Sequence, residues 1–372
     1  MNNRAHCPAI HNGLALNFKT SSSDVFASQC CLRPDQFKID PATSFWNNPK
    51  FIPLRELNNT GEWDLGCNNC KSLEKSGSAS LRTGMLSKYG TEVTLSGPRK
   101  LDLLFDISCN LACRTCGPTD STFWQKHLND HRGWITAIEY NRRSDDVIQT
   151  LKNINLSNLQ EVCFSGGETL LGGGYWDIAE YIASVASNAG SDITLSFQSN
   201  GTQSVSEKFH NIIKKFKLVK INFSVDGTGS KFEYLRWPAK WDQVVNNLAE
   251  LRSTLPSNVM FNVEETISIF NLYYINQDQQ YHAAHFSTNR EGDVVHHSTH
   301  LASGLFSLAA MTTEYVDAMK HTKFAHLMPA QFVEDPAKIK LAIASIKQFD
   351  QYRNQRFEDY FPEVAGFYSR YL

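Results

Sequence analysis

The chain lacks any apolar run close to the ~20 residues that a membrane-spanning helix needs, so no membrane partner is expected. It also lacks a surplus of one charge. Its 36 Lys and Arg stand against 38 Asp and Glu, a formal net charge of −2, so nothing in the balance favours a nucleic-acid backbone or an anionic surface. With only 21 Gly and 12 Pro in 372 residues, a collagenous or low-complexity chain is excluded. No repeat of solenoid period is visible. The first residues, MNNRAHCPAIHNG, contain no apolar core of a secretory leader, and a cytoplasmic location is expected. What is present suffices for a full core: 41% hydrophobic and 20% charged residues.

Cysteine is the unusual component. There are nine: Cys7, Cys30, Cys31, Cys67, Cys70, Cys109, Cys113, Cys116 and Cys163. An odd number without a leader argues against a disulfide framework. Eight of them lie within the first 116 residues, and that clustering favours metal ligation.

The middle of the chain alternates strand and helix patterns. Leu101, Leu103, Phe105 and Ile107 recur at every second residue, as in a half-buried strand. A short apolar run, Leu159 to Phe164, ends at Gly166-Gly167. Three further alternating segments follow, centred on Leu195, Ile221 and Phe261. Helices are predicted over Asp145 to Ile154 and Tyr175 to Ala189, from Ser204 with Glu207 as a capping box, and from Trp241 onward. Such alternation implies an α/β fold with parallel strands and right-handed crossovers. Gln198, Asn222, Ser224 and Asp226 look like a polar interior, which favours a partial (β/α) barrel over a doubly wound sheet. The expected organisation is a cysteine-rich region at 1–98, the barrel core at 99–275 and a mainly helical extension at 276–372. In that extension Asp335-Pro336 reads as a helix N-cap followed by a first-turn proline.

Cys109-Asn-Leu-Ala-Cys113-Arg-Thr-Cys116 follows the first of these strands. Three thiolates with C-x3-C-x2-C spacing on one loop can wrap one face of a cubane iron–sulfur cluster and leave one iron free. Structural zinc is the plainer metal reading, although zinc usually takes paired C-x2-C knuckles or Cys/His sets. The triplet resembles the signature of the radical S-adenosylmethionine superfamily. Glu161-Val-Cys-Phe-Ser-Gly-Gly-Glu168 resembles that family's glycine–glycine–glutamate motif. Gln198-Ser-Asn-Gly201, Phe223-Ser-Val-Asp-Gly227 and Tyr234-Leu-Arg236 resemble later motifs in order.

The resemblance implies a (β/α)6-type partial TIM barrel. It also implies a SAM-binding 4Fe–4S cluster on Cys109, Cys113 and Cys116, reductive cleavage of S-adenosylmethionine to a 5′-deoxyadenosyl radical, and hydrogen abstraction from a substrate. In such members Gly166 and Gly167 let the backbone approach the methionine amino group, and Glu168 shapes the turn. Ser199 and Asn200, or Ser224 and Asp226, bond the ribose; turn chemistry is the alternative for the first pair. Arg236 faces the methionine carboxylate or makes an ordinary salt bridge. Thr115 departs from the aromatic residue that many members carry there.

Cys67-Asn-Asn-Cys70, with Cys7 and one of Cys30 or Cys31, resembles the auxiliary-cluster modules called SPASM and twitch, here N-terminal instead of C-terminal. An auxiliary 4Fe–4S cluster is expected, with zinc or no metal as alternatives. Cys163 is expected to be a core thiol, and His296-His297-Ser-Thr-His300 to be a solvated loop. The resulting expectation is an oxidoreductase acting on a peptide or protein, supplied with electrons by a flavodoxin or ferredoxin. The alternatives are a sugar or nucleoside dehydrogenase and, in another class, a zinc-stabilised binding module without catalysis.

Overall fold

The computed structural model describes residues 6–18, 24–40, 46–75, 77, 79–94, 96–132, 143–186, 192–286, 296–329 and 331–372. Nine strands form one sheet: β1 (Gly13–Asn17), β2 (Val25–Ser28), β3 (Phe37–Ile39), β4 (Lys100–Leu104), β5 (Glu161–Ser165), β6 (Thr194–Ser199), β7 (Leu218–Ser224), β8 (Val259–Ile267) and β9 (His296–Leu301). Their order is β3-β2-β1-β4-β5-β6-β7-β8-β9. The pairings from β1 through β9 are parallel, while β2 pairs antiparallel with β1 and β3. This is an α/β fold with a parallel-dominated sheet.

The two faces of the sheet differ in chemistry. Val162, Phe164, Leu195, Phe197, Ile221 and Val263 are buried on the face covered by helices. The residues between them are polar and only partly buried along β5 and β6. They are joined across strands: the Asn222 amide donates to Ser196 Oγ at 3.2 Å, and Asn262 donates to Asn222 Oδ1 at 2.8 Å. A period of two with one apolar face is what places the polar rows together.

The structure departs from the sequence expectation at several places. The boundary at 98/99 does not separate the sheet from the N-terminal region, because Gly13–Asn17 pairs in register with Lys100–Leu104. Strand β1 is buried along nearly its whole length, so it carries no polar alternation to betray it. His296–Leu301, expected to be a loop, is the edge strand β9; residues 289–295 of that stretch lie outside the described residues. The helix after β6 is Glu207–Ile213, capped by Ser206 and not by Ser204. The helix after β5 is Gly174–Val185, and the expected continuation over 187–189 lies outside the described residues. Asp335 caps Pro336–Arg353 as expected, accepting from the Ala337 and Lys338 amides. Among the described residues no helix is long and apolar enough to cross a membrane.

A second apolar cluster joins the segment after β8, including Ile269 and Phe270, to Ile343 and Ile346 of the helix Pro336–Arg353 and to Phe357 and Phe361 beyond it. This packing brings the end of the chain against the C-terminal ends of the strands.

Candidate functional site

Beyond β4 the chain turns into the triplet loop. Cys109, Cys113 and Cys116 line an open cavity of about 240 Å³ together with Gly167, Ser199, Asn200, Ser224 and Arg236. Arg236 Nη1 lies 3.9 Å from Cys113 Sγ, and Asn200 Nδ2 lies 4.0 Å from Cys109 Sγ. Burial pushes all three thiols up, Cys116 to about 11, while the Arg236 guanidinium pulls the other way. The thiols are therefore protonated at neutral pH in this state.

The glycine pair after β5 has a local reason. Gly166 and Gly167 have φ of +102° and +43°, backbone that side-chain-bearing residues rarely adopt. A Cβ at Gly166 would lie 2.5 Å from the Asp106 carbonyl oxygen, and one at Gly167 would overlap the Ser108 carbonyl. The pair thus lets the loop after β5 press against the backbone leading into Cys109. Glu168 is 1% exposed. Its carboxylate accepts from Ser199 Oγ at 2.9 Å, the Asn200 amide at 2.6 Å and the Leu170 amide at 2.9 Å. It ties the loop after β5 to the end of β6 and does not line the cavity.

Asp226 also stands behind the cavity. One carboxylate oxygen pairs with Arg236 Nη2 at 2.8 Å, and the other accepts from the Thr266 amide at 2.7 Å. Burial works against the charge of Arg236, but the adjacent Asp226 holds the guanidinium protonated, with its pKa raised. The resemblance gave Asp226 with Ser224 as one of two ribose-binding pairs; in the structure Asp226 stands behind Arg236, while Arg236, Ser224, Ser199 and Asn200 are among the residues that line the cavity.

The triplet loop is braced from the far end of the chain. Arg114, between the second and third cysteines, has a side chain with 0% exposure and pairs with Asp350 of the helix Pro336–Arg353 at 2.5 Å. Its guanidinium lies 3.6 Å from the Tyr234 ring centroid and donates to the Tyr234 carbonyl at 3.1 Å. Tyr234 donates in turn to Asp350 at 2.8 Å. Arg353 donates to the Ala112 carbonyl at 2.8 Å, and Trp124 Nε1 donates to the Cys113 carbonyl at 2.8 Å. The sequence reading missed this brace, which joins residues 236 positions apart.

The N-terminal cysteines divide. Cys7, Cys30, Cys67 and Cys70 line one small pocket, bordered by Arg33, Trp63 and Arg82. Burial lifts the Cys7 thiol to about 11, and Cys67 and Cys70 add to the rise. Cys31 does not line the pocket; its hydrogen bond to Cys30 and burial push its thiol up, with Asp102 adding to the rise and Lys100 opposing it. Cys163, expected in the core, sits on the polar face instead, near Asp102, Lys100 and Cys31; burial pushes it up to about 12. Among the described residues, no three His, Cys, Asp or Glu side chains lie close enough to hold a single metal ion.

Residues 107–268 match the Radical SAM superfamily, from just before Cys109 to the end of β8. Among solved structures it is similar to native anSMEcpe with bound AdoMet and Cp18Cys peptide, at 18% identity over 59% of this chain and 58% of that one, with a TM-score of 0.39. It is also similar to Streptococcus suis SuiB bound to S-adenosylmethionine, at 15% identity over 87% of this chain and 64% of that one, with a TM-score of 0.38. The chain thus spans less than two thirds of the length of anSMEcpe. No curated protein sequence matches it.

Proposed function

We propose that the chain is a radical S-adenosylmethionine enzyme with two iron–sulfur sites. One observation carries the reading: among the described residues of the family-matched segment the cavity-facing thiols are the triplet, and Arg236 and the β6 end converge on them. The donor set fits a cluster. Three thiols face one cavity, a guanidinium lies beside one sulfur, and the glycine pair removes side chains where two loops meet. When bound there, a 4Fe–4S cluster with S-adenosylmethionine supplies an electron and a 5′-deoxyadenosyl radical able to take a hydrogen atom from substrate.

The protein's own residues hold and orient. Cys109, Cys113 and Cys116 are the ligands. Arg236 offers a fixed cation for a carboxylate, and Asp226 positions it. Ser199, Asn200 and Ser224 supply hydroxyl and amide partners for a diol, while Glu168 fixes the first two. Thr115 borders the same cavity. In the N-terminal pocket Cys7, Cys30, Cys67 and Cys70 hold an auxiliary cluster of the twitch type, closed to substrate by four protein ligands. An electron carrier there suits a two-electron oxidation.

The substrate class is a peptide or protein. A sugar or nucleoside is the alternative. A small flavodoxin or ferredoxin serves as electron donor. Anaerobic reconstitution tests the reading. About eight irons per chain, the content of two cubanes, are expected, together with deoxyadenosine release under strong reductant. A colourless, zinc-loaded protein with no such release would replace this reading with a binding module.

A further inference from the structure

We infer that Arg33 sets the electrochemical potential of the N-terminal four-cysteine pocket by donating a hydrogen bond to the sulfur of Cys67. The inference rests on reading that pocket as an iron–sulfur site. Arg33 follows the Cys30-Cys31 turn and returns beneath the Cys67–Cys70 knuckle. Its Nη1 lies 3.7 Å from Cys67 Sγ, within the reach of an N–H···S contact. Its side chain is 6% exposed and is held by two carboxylates, Asp35 at 2.5 Å and Asp64 at 2.6 Å. Asp64 is itself fixed by the Gly66 amide at 2.7 Å. The approach is built into the backbone: a Cβ at Gly66 would lie 2.8 Å from Arg33 Cζ. Glycine one residue before Cys67 is what leaves room for the guanidinium.

The other guanidinium at the pocket is arranged differently. Arg82 spends Nε and Nη2 on Glu74 and Nη1 on the His6 carbonyl. Its donors therefore go to oxygen, whereas Arg33 Nη1, which also pairs with Asp64, has the Cys67 sulfur within reach.

Reduction adds one electron, and so negative charge, to a thiolate-ligated cluster. A buried cation donating to a ligand sulfur stabilises that added charge and raises the potential. Removing it has two effects of one sign. The N–H···S bond is lost, and Asp64 and Asp35 keep their negative charge beside the pocket. Both disfavour the reduced state.

The test is a redox titration, followed by electron paramagnetic resonance, of the reconstituted full-length protein and its Arg33→Gln and Arg33→Lys variants. Iron content and circular dichroism are measured on each. The expected result is full iron in the variants, and a one-electron equilibrium for one of the two clusters moved about tenfold toward oxidised in Arg33→Gln, ~59 mV more negative. Arg33→Lys, which keeps the charge and loses the fork, should lie between. Full iron with an unchanged potential in both variants overturns the role of Arg33 and leaves the cluster reading standing. Loss of iron in both also overturns it, making Arg33 structural. A wild-type pocket that takes zinc and shows no second redox signal overturns the cluster reading, and the inference with it.

Discussion

The two cysteine sites are built in opposite ways. The triplet comes from eight consecutive residues, yet its geometry depends on distant partners, among them Tyr234, Asp350 and Arg353. The N-terminal site gathers its thiols from three separate segments of the first 70 residues and is held by local ion pairs such as Arg33–Asp64 and Arg82–Glu74. Three thiols facing an open, polar cavity leave coordination for a small ligand. Four thiols line the N-terminal pocket. On the proposed reading, that difference in thiol number separates a reacting centre from an electron-carrying one.

Removing one site alone should break the comparison most severely. Cys67→Ala/Cys70→Ala should lower iron from about eight to about four per chain and abolish product formation, while deoxyadenosine release without substrate persists. Zinc in place of the missing irons, or normal turnover by the variant, would reduce the N-terminal site to a structural one.

The brace sharpens the comparison next. Asp350→Ala leaves Arg114 buried without its counter-charge, and breaking such a pair costs about 3–5 kcal/mol. Denaturant unfolding should show this loss. Iron should also leave the triplet faster than the N-terminal site when a chelator is added. Equal rates of loss from both sites would show that the C-terminal helix does not hold the triplet loop.

Within the cavity, Arg236→Ala should keep both clusters and weaken S-adenosylmethionine binding about tenfold or more, the worth of a charge-assisted hydrogen bond. Asp226→Ala should act in the same direction by freeing Arg236. Titration of the cluster spectrum with the cofactor reads both, and unchanged affinity in both would mean that the cofactor lies elsewhere.

The smallest effect concerns pH and a carboxyl group outside both sites. Burial holds Asp278 up at about 6; the Thr228 hydroxyl and Lys231 lower it, and Asp226 raises it. Its native pKa lies above the ordinary value, so the folded protein binds the extra proton and loses stability as pH rises from about 4 to about 6. Asp278→Asn should remove that slope and stabilise the protein by about 2 kcal/mol above pH 7. Thermal unfolding at pH 5 and pH 8 checks this: a variant no more stable than wild type at pH 8 contradicts it.

What the sequence made legible was local. The C-x3-C-x2-C spacing, the Gly166-Gly167-Glu168 turn and the alternating strands β4 to β8 are all short-range patterns. Glu168 bonds to Leu170 and to Ser199 at the end of β6, as a residue that shapes a turn would. Strand β9 was missed because an exposed, polar edge strand has no apolar period, and β1 because burial along its length removes the alternation. Whether Cys30 or Cys31 faces the pocket depends on the rotation of a turn, which spacing does not encode. The Asp226–Arg236 pair and the Arg114–Asp350 brace need the sheet and the C-terminal helix to be docked before they exist.

The central claim is that the triplet, and not the N-terminal site, holds the reacting centre. Deoxyadenosine release from S-adenosylmethionine under strong reductant tests it most directly, measured side by side in the wild type, in Cys113→Ala and in Cys67→Ala/Cys70→Ala. The account predicts release by the wild type and the N-terminal double variant, and none by Cys113→Ala. Undiminished release by Cys113→Ala would contradict it.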